Sequence, residues 1–230
     1  MNLVIFDCDG VLVNTEAVAA RVGASVLNGM GWNLSVQEVI DRFLGCTDEY
    51  LRAEVEAHFA RPLPEDWDEQ FESQYVAAYT AELRPVDGVV KVLDELLSDG
   101  VPTCVASNGS HDKIRRTLGT TGLFDRFEGR IFSVQDVPRG KPAPDIFLHA
   151  AKSMRVFPQD CVVVEDSPRG VAAARSAGMA CIGFADLTPA HKLAAPGVTV
   201  CSTMTDVLRQ LRRIATAGAA REGGTRGTCL

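Results

Sequence analysis

Short apolar, β-branched runs punctuate the chain, and each ends at polar residues or glycine. They are LVIF before Asp7, PTCVA before Ser107, CVVV before Glu165, ACIGFA at 180–185 and VTVC at 198–201. Between them the apolar positions recur at helical spacing. VVKVLDELLSDG closes on Gly100 as a C-terminal cap, and HDKIRRTLG closes on Gly119. PDIFLHAAKSM opens after a proline; SPRGVAAARSAG has Ser167 as N-cap, Pro168 at the first helical position and Gly178 at its end. Strands alternating with helices predict an α/β fold built on a parallel, doubly wound sheet.

Residues 15–81 break that alternation. AARVGASVL, VQEVIDRFL, EYLRAEVEAHF and FESQYVAAY are helix-periodic, and no convincing strand lies among them. The pattern predicts a helical cap, 15–81, inserted into a core made of 1–14 and 82–214. The cap carries four arginines (Arg21, Arg42, Arg52, Arg61), no lysine and twelve acids, a net charge of about −8. The Ala/Gly-rich segment 215–230 is expected to be a disordered tail. No internal repeat is apparent.

Composition narrows the class. Hydrophobic residues at 46% and charged residues at 23% are ordinary for a soluble globular protein. No apolar run approaches the roughly 20 residues that span a bilayer. With no basic start and no long apolar segment at the N-terminus, no signal peptide is expected, and a cytoplasmic location is. Seven cysteines form no C-x-x-C pair; Cys104, Cys161, Cys181 and Cys201 sit in strand-like runs and read as reduced, buried thiols. Cys8 lies between Asp7 and Asp9, whose charges disfavour its thiolate, so it reads as a small core residue. A net charge of −7 argues against nucleic-acid binding. It leaves room for an anionic small substrate, because a metal ion and one lysine reverse the sign locally.

In open α/β sheets ligands bind beyond the carboxyl ends of the strands. Those ends hold Asp7 and Asp9, then Ser107-Asn108-Gly109, then Glu165-Asp166; one lysine, Lys141 in RGKPAPDIF, stands at a helix start. Asp7 and Asp9 share a side if the chain stays extended past the strand. Each piece has a plainer reading: Ser107 as a helix N-cap, Lys141 as a surface-loop lysine, Glu165-Asp166-Ser167 as capping. Together they suit phosphoryl transfer. Asp7, Asp166 and Glu165 are hard oxygen ligands for Mg²⁺. Asp7 is then the carboxylate nucleophile and Asp9 the acid that protonates the leaving alkoxide and later activates water. Ser107 and the N–H groups after it hold phosphate oxygens, and Lys141 neutralises transition-state charge.

These residues resemble the haloacid-dehalogenase-like hydrolase superfamily. FDCDG is similar to its first motif, VASNGS to its second, GKPAPDIF to its third and VVEDSPRGVAAARSAG to its fourth, over roughly residues 1–213. The resemblance implies a Rossmann-like core with a helical cap inserted after the first motif. It implies Asp7 as nucleophile, Asp9 as acid/base, Ser107 and Lys141 as phosphate holders, and Asp166 and the Asp9 backbone carbonyl as Mg²⁺ ligands. Glu165 either ligates the metal or supports Lys141. An aspartate at position 9 is the mark of phosphotransfer members. The subgroup looks like the sugar-phosphate phosphatases and β-phosphoglucomutase-like proteins; FDCDG, RFLG and SNGS-HDK look most like the bacterial 6-phosphogluconate and related sugar phosphatases.

The implied function is a Mg²⁺-dependent phosphatase acting on a small phosphorylated sugar, sugar acid or polyol. Alternatives are a phosphomutase and a non-catalytic sugar-phosphate sensor. Asn14 stands where many relatives carry aspartate and is a candidate substrate contact. Gly45, Cys46 and Thr47 are candidates for the cap loop that faces the nucleophile, or for a plain helix connection. Asp48 and Ala19 replace an arginine and a histidine of the mutases, and Arg42 or Arg52 would have to hold a second phosphate in their stead. None of His58, His111, His149 and His191 is assigned a catalytic role, although His111 follows the phosphate loop. The sequence does not fix the oligomeric state.

Overall fold

The computed structural model describes residues 1–44, 46 and 48–223. Six strands form one sheet: β1 (Leu3–Phe6), β2 (Thr103–Ser107), β3 (Ile131–Ser133), β4 (Cys161–Glu165), β5 (Ala180–Phe184) and β6 (Val198–Cys201). Their order is β3-β2-β1-β4-β5-β6, and every pairing is parallel. This is the doubly wound Rossmann order, in which the chain leaves β1 in one direction and returns to its other side. The reversal puts the carboxyl ends of β1, β2 and β4 side by side, with Phe6 level with Val105 on one flank and Val164 on the other.

All four residues of β1 are fully buried, as a central parallel strand covered on both faces requires. Alternation sorts them. Leu3 and Ile5 join Cys104, Ala106, Cys161 and Val163 in a cluster with Ile146, Phe147, Ala150, Val171 and Ala174. The helical members of that cluster come from α7 (Asp145–Ser153) and α8 (Pro168–Ser176). Elsewhere α5 (Val89–Ser98) packs on α10 (Met204–Gly223), and α6 (His111–Thr120) lies on β3. A short helix, α9 (Ala190–Leu193), completes the set.

The chain divides into two compact units, Met1–Val13 with Pro85–Leu230, and Asn14–Arg84. The second comprises α1 (Thr15–Gly29), α2 (Val36–Phe43), α3 (Asp48–Phe59) and α4 (Trp67–Glu82). Its division points fall one residue before and three after the 15–81 read from periodicity. α1 packs on α2 and α4, burying Val18, Ala24, Leu27, Val39 and Ile40. Ser35 starts α2 with a reciprocal capping box, its hydroxyl accepting from Glu38 N–H while Glu38 accepts from Ser35 N–H at 2.8 Å. Trp32 stacks on His58 at 4.0 Å between ring centres and meets Phe43 and Phe59 edge-on. Where the chain crosses between units, Asn14 and Arg84 clasp. Asn14 N–H donates to the Arg84 carbonyl at 3.1 Å, and Arg84 N–H donates to Asn14 Oδ1 at 2.7 Å.

Three local features differ from the sequence reading. The edge strand β3 is only three residues long, too short for a period to show. α6 continues through Gly119 to Thr120, and the left-handed turn after it belongs to Gly122, φ 70°. α10 runs on past Ile214 to Gly223, where alanine's helix propensity outweighs the interspersed glycines. Among the described residues, no helix is long and apolar enough to cross a membrane.

Candidate active site

β1 ends at Phe6, and the next N–H, that of Asp7, still donates to the Val164 carbonyl of β4 at 3.0 Å. That bond fixes Asp7 at the sheet's reversal point, 7% exposed. The chain then turns instead of running on. Gly10 takes φ 75°, its N–H donates to the Val13 carbonyl at 2.8 Å, and Asp9 pairs with Val13 as an isolated bridge. The two aspartates meet different cations. Asp7 Oδ1 accepts from Lys141 Nζ, and Asp9 Oδ2 accepts from Lys113 Nζ at 2.7 Å. Asp9 Oδ1 is buried with no hydrogen-bond partner among the described residues.

Lys141 is 4% exposed, buried in the core rather than displayed on a loop. Its ammonium donates to Asp7, to Glu165 Oε1 at 2.7 Å and to the Ala106 carbonyl at 2.9 Å, which uses all three N–H bonds. Burial alone would lower its pKa, but Asp7 and Glu165 outweigh that and hold it protonated. The lysine's backbone is clamped as well. Lys141 N–H donates to Asn108 Oδ1 at 2.9 Å, Asn108 Nδ2 donates back to the Lys141 carbonyl at 3.3 Å, and Arg169 Nη2 donates to the same carbonyl at 2.8 Å. Asn108, picked from sequence as a substrate contact, thus has both ends of its amide on Lys141.

Ser107 closes β2 at 2% exposure, and its Oγ accepts from Gly109 N–H at 3.1 Å. It does not cap α6; Ser110 does, accepting from Lys113 N–H at 3.2 Å. The Gly109 carbonyl accepts the Ser133 hydroxyl at 2.6 Å, so the turn after β2 is tied to β3. Glu165 closes β4 with both oxygens engaged, Oε1 by Lys141 and Oε2 by the N–H and hydroxyl of Ser167, each at 2.9 Å. Ser167 in turn caps α8, accepting Gly170 N–H at 3.0 Å. A Cβ on Gly170 would fall 1.7 Å from Glu165 Oε1, and one on Gly10 would fall 2.0 Å from Asp166 Oδ2. Both glycines are places where a carboxylate lies directly on the backbone.

Asp7, Glu165 and Asp166 each offer an oxygen within 4.8 Å of the others. Burial, with Glu165 and Asp9 adding to it against the pull of Lys141, pushes Asp7 up to about 7. Such a surplus of buried carboxylates, all hard oxygen donors, fits a divalent cation of the Mg²⁺ type. The same burial, together with Asp9 and Asp7, lifts the Cys8 thiol well above its usual range, so Cys8 is inert core.

The remaining sequence candidates lie in the helical unit. Asn14 is committed to the clasp with Arg84. Cys46 is exposed, its thiol directed at the Arg42 carbonyl at 3.5 Å. Gly45 and Thr47 lie outside the described residues. Two side chains in the core site were missed from sequence, Lys113 and Arg169. Neither was given a role from sequence, although Lys113 lies in SNGS-HDK, Arg169 in VVEDSPRG, and each in the first turn of the helix following a site strand.

A family model described as haloacid dehalogenase-like hydrolase matches residues 1–178. The chain belongs to that family. Curated relatives of this hydrolase include 6-phosphogluconate phosphatase of Escherichia coli, 29% identical over 180 residues, which make up 78% of this chain and 80% of that protein. The probable pseudouridine-5'-phosphatase of Drosophila melanogaster is 32% identical over 88% of this chain and 89% of its own. A family member from Deinococcus radiodurans, crystallised with phosphate and sodium bound, superimposes with a TM-score of 0.79 at 30% identity, covering 95% of this chain and 96% of that one. Family and relatives together make the protein a phosphoric monoester hydrolase acting on phosphorylated small molecules.

Proposed function

We propose that this hydrolase is a Mg²⁺-dependent phosphatase that cleaves a small phosphorylated sugar, sugar acid or polyol through an aspartyl-phosphate on Asp7. The observation that carries the reading is the buried group at the sheet reversal: Asp7 locked to Lys141, with Asp166 and Glu165 beside it and a second aspartate at 9. An Asp7 oxygen attacks phosphorus as the bond to the alcohol oxygen breaks, and Asp9 gives that oxygen its proton. Asp9 then takes a proton from water, whose oxygen displaces Asp7 and releases orthophosphate. Ser107 and the N–H of Asn108 hold phosphate oxygens, Gly109 N–H being engaged by Ser107 Oγ, while Lys141 balances the charge that moves between Asp7 and the phosphoryl group. Asp7, Asp166 and the Asp9 carbonyl would hold Mg²⁺, which when bound screens the attacking carboxylate from the phosphate dianion. Both Glu165 oxygens are already engaged, which supports a role for Glu165 in orienting Lys141.

The E. coli relative is named for 6-phosphogluconate, a phosphorylated sugar acid, which supports the substrate class; the arginines of the helical unit support water as acceptor. A mutase needs cap cations for the second phosphate of its bisphosphate intermediate. Arg42 lies over Trp32 at 5.8 Å, Arg52 over Trp67 at 5.7 Å, Arg61 over Phe59 at 5.8 Å, and Arg21 pairs with Glu82, so all four arginines have partners within their own unit. The test is a panel of hexose, pentose and aldonic-acid monophosphates with Mg²⁺, together with β-glucose 1-phosphate in the presence and absence of glucose 1,6-bisphosphate. Stoichiometric phosphate release without the bisphosphate is expected. Bisphosphate-dependent isomerisation with little free phosphate would overturn the phosphatase reading, and absence of turnover on the whole panel would overturn catalysis on sugar phosphates.

A further inference from the structure

We propose that Lys113 is a positioning residue that fixes the carboxylate of Asp9 for proton transfer; this rests on Asp9 being the acid/base group. α6 lies with one face along the turn that follows β1. Thr117 Oγ1 sits 3.8 Å from Cys8 Sγ, and one helical turn earlier Lys113 Nζ donates to Asp9 Oδ2 at 2.7 Å. Residues four apart on the helix therefore meet consecutive residues of the turn. The lysine is held along its length. Its own N–H is bonded to the Ser110 cap, and its stem passes over Gly109, where an added Cβ would lie 3.5 Å from Lys113 Cδ.

The two lysines divide the two aspartates. Lys141 has no N–H left for Asp9, because Asp7, Glu165 and Ala106 take all three. Lys113 occupies one Asp9 oxygen and leaves the other, Oδ1, buried without a partner among the described residues. A carboxylate held at one oxygen presents the second in a fixed direction. Released, it samples the broad rotation that aspartate carboxylates allow, and the oriented fraction falls. The pair is partly solvated, with side-chain exposures of 38% for Lys113 and 19% for Asp9, so it adds little to stability and the variant should fold.

The test compares Lys113→Met, Lys113→Arg, Asp9→Asn and the Asp9→Asn/Lys113→Met double variant by single-turnover phosphorylation. Two substrates are used, a hexose 6-phosphate that the wild type cleaves, and 4-nitrophenyl phosphate, whose leaving group needs no proton. Lys113→Met should slow the hexose phosphate by about tenfold or more as the orientation of Asp9 is lost. It should slow the nitrophenyl ester by less than about threefold, with KM for both nearly unchanged. Lys113→Arg should recover most of the loss, and the double variant should be no slower than Asp9→Asn alone. Equal slowing of both substrates, a raised KM with unchanged turnover, or multiplying losses in the double variant would each overturn the proposal. Were Asp9→Asn itself to slow both substrates alike, the acid/base reading would fall and the proposal with it. Discrimination by Asp9→Asn but not by Lys113→Met overturns the proposal alone.

Discussion

Gly170→Ala sets two physical effects against each other with opposite signs. Gly170 lies in the first turn of α8, where helix propensity alone predicts stabilisation by up to about 1 kcal/mol. The space is taken, however. The new methyl carbon would lie 1.7 Å from Glu165 Oε1, 1.8 Å from its Cδ and 2.3 Å from Oε2, so the carboxylate must leave. It is 1% exposed and holds Lys141 and Ser167, so leaving costs the buried ion pair as well as the packing. Breaking a buried pair costs about 3–5 kcal/mol, and the partial survival of Lys141 through Asp7 puts the expected loss near the lower end, about 3 kcal/mol. For a chain of this size that is a drop in Tm of roughly 10 °C. Urea unfolding of wild type and variant in chelator, at matched m-values, measures it directly. Turnover should fall further than stability, because Lys141 loses the partner that aims it. A second variant isolates the cause: in a Glu165→Ala background the clash is gone, and adding Gly170→Ala should be neutral or mildly stabilising. A wild-type-like or more stable Gly170→Ala single variant would refute the steric argument, and a loss that persists undiminished in the Glu165→Ala background would refute its attribution to the carboxylate.

Two further outcomes follow from the site. Asp7→Asn keeps the volume and removes the attacking oxygen, so it should fold and lose about a thousandfold or more in kcat; substantial phosphate release by the variant would mean another group attacks phosphorus. Chelation with EDTA should abolish turnover and Mg²⁺ restore it, with Ca²⁺ a poor substitute because its looser, larger coordination misplaces Asp7; full activity in chelator would take the cation out of the reaction.

The strands most visible in the sequence, β1, β2, β4 and β5, are those buried along most of their length, where apolar runs are dense. β3 is an edge of three residues and left no comparable trace. In the site, reading the residues beyond strand ends picked out Asp7, Ser107, Glu165 and Asp166, and beside them the lysine that joins Asp7 to Glu165. What each does with its second oxygen or its backbone was not legible. Asn108 grips Lys141 across 33 residues of sequence, and Asp9 meets Lys113 across 104. Such contacts are products of sheet order and helix placement, which no local pattern encodes. The bend after β1 is a related case. Alternation bears on which side Asp7 and Asp9 take, not on the cations they meet, Lys141 for the first and Lys113 for the second.

The paired crossing at Asn14 and Arg84 has a consequence for how this protein can be rebuilt. Just outside the clasp, Val13 and Pro85 face each other as an antiparallel bridge, and Val86 N–H donates to the Leu12 carbonyl at 3.0 Å. The helical unit is therefore spliced into the core through two adjacent stubs already in hairpin register, so a two-residue Asn-Gly turn could join Val13 to Pro85 without redirecting either. The core is a cassette holder with a zippered slot: inserts of other lengths and sequences can be grafted between the same two stubs while the six-stranded sheet and its buried lysine remain as they are.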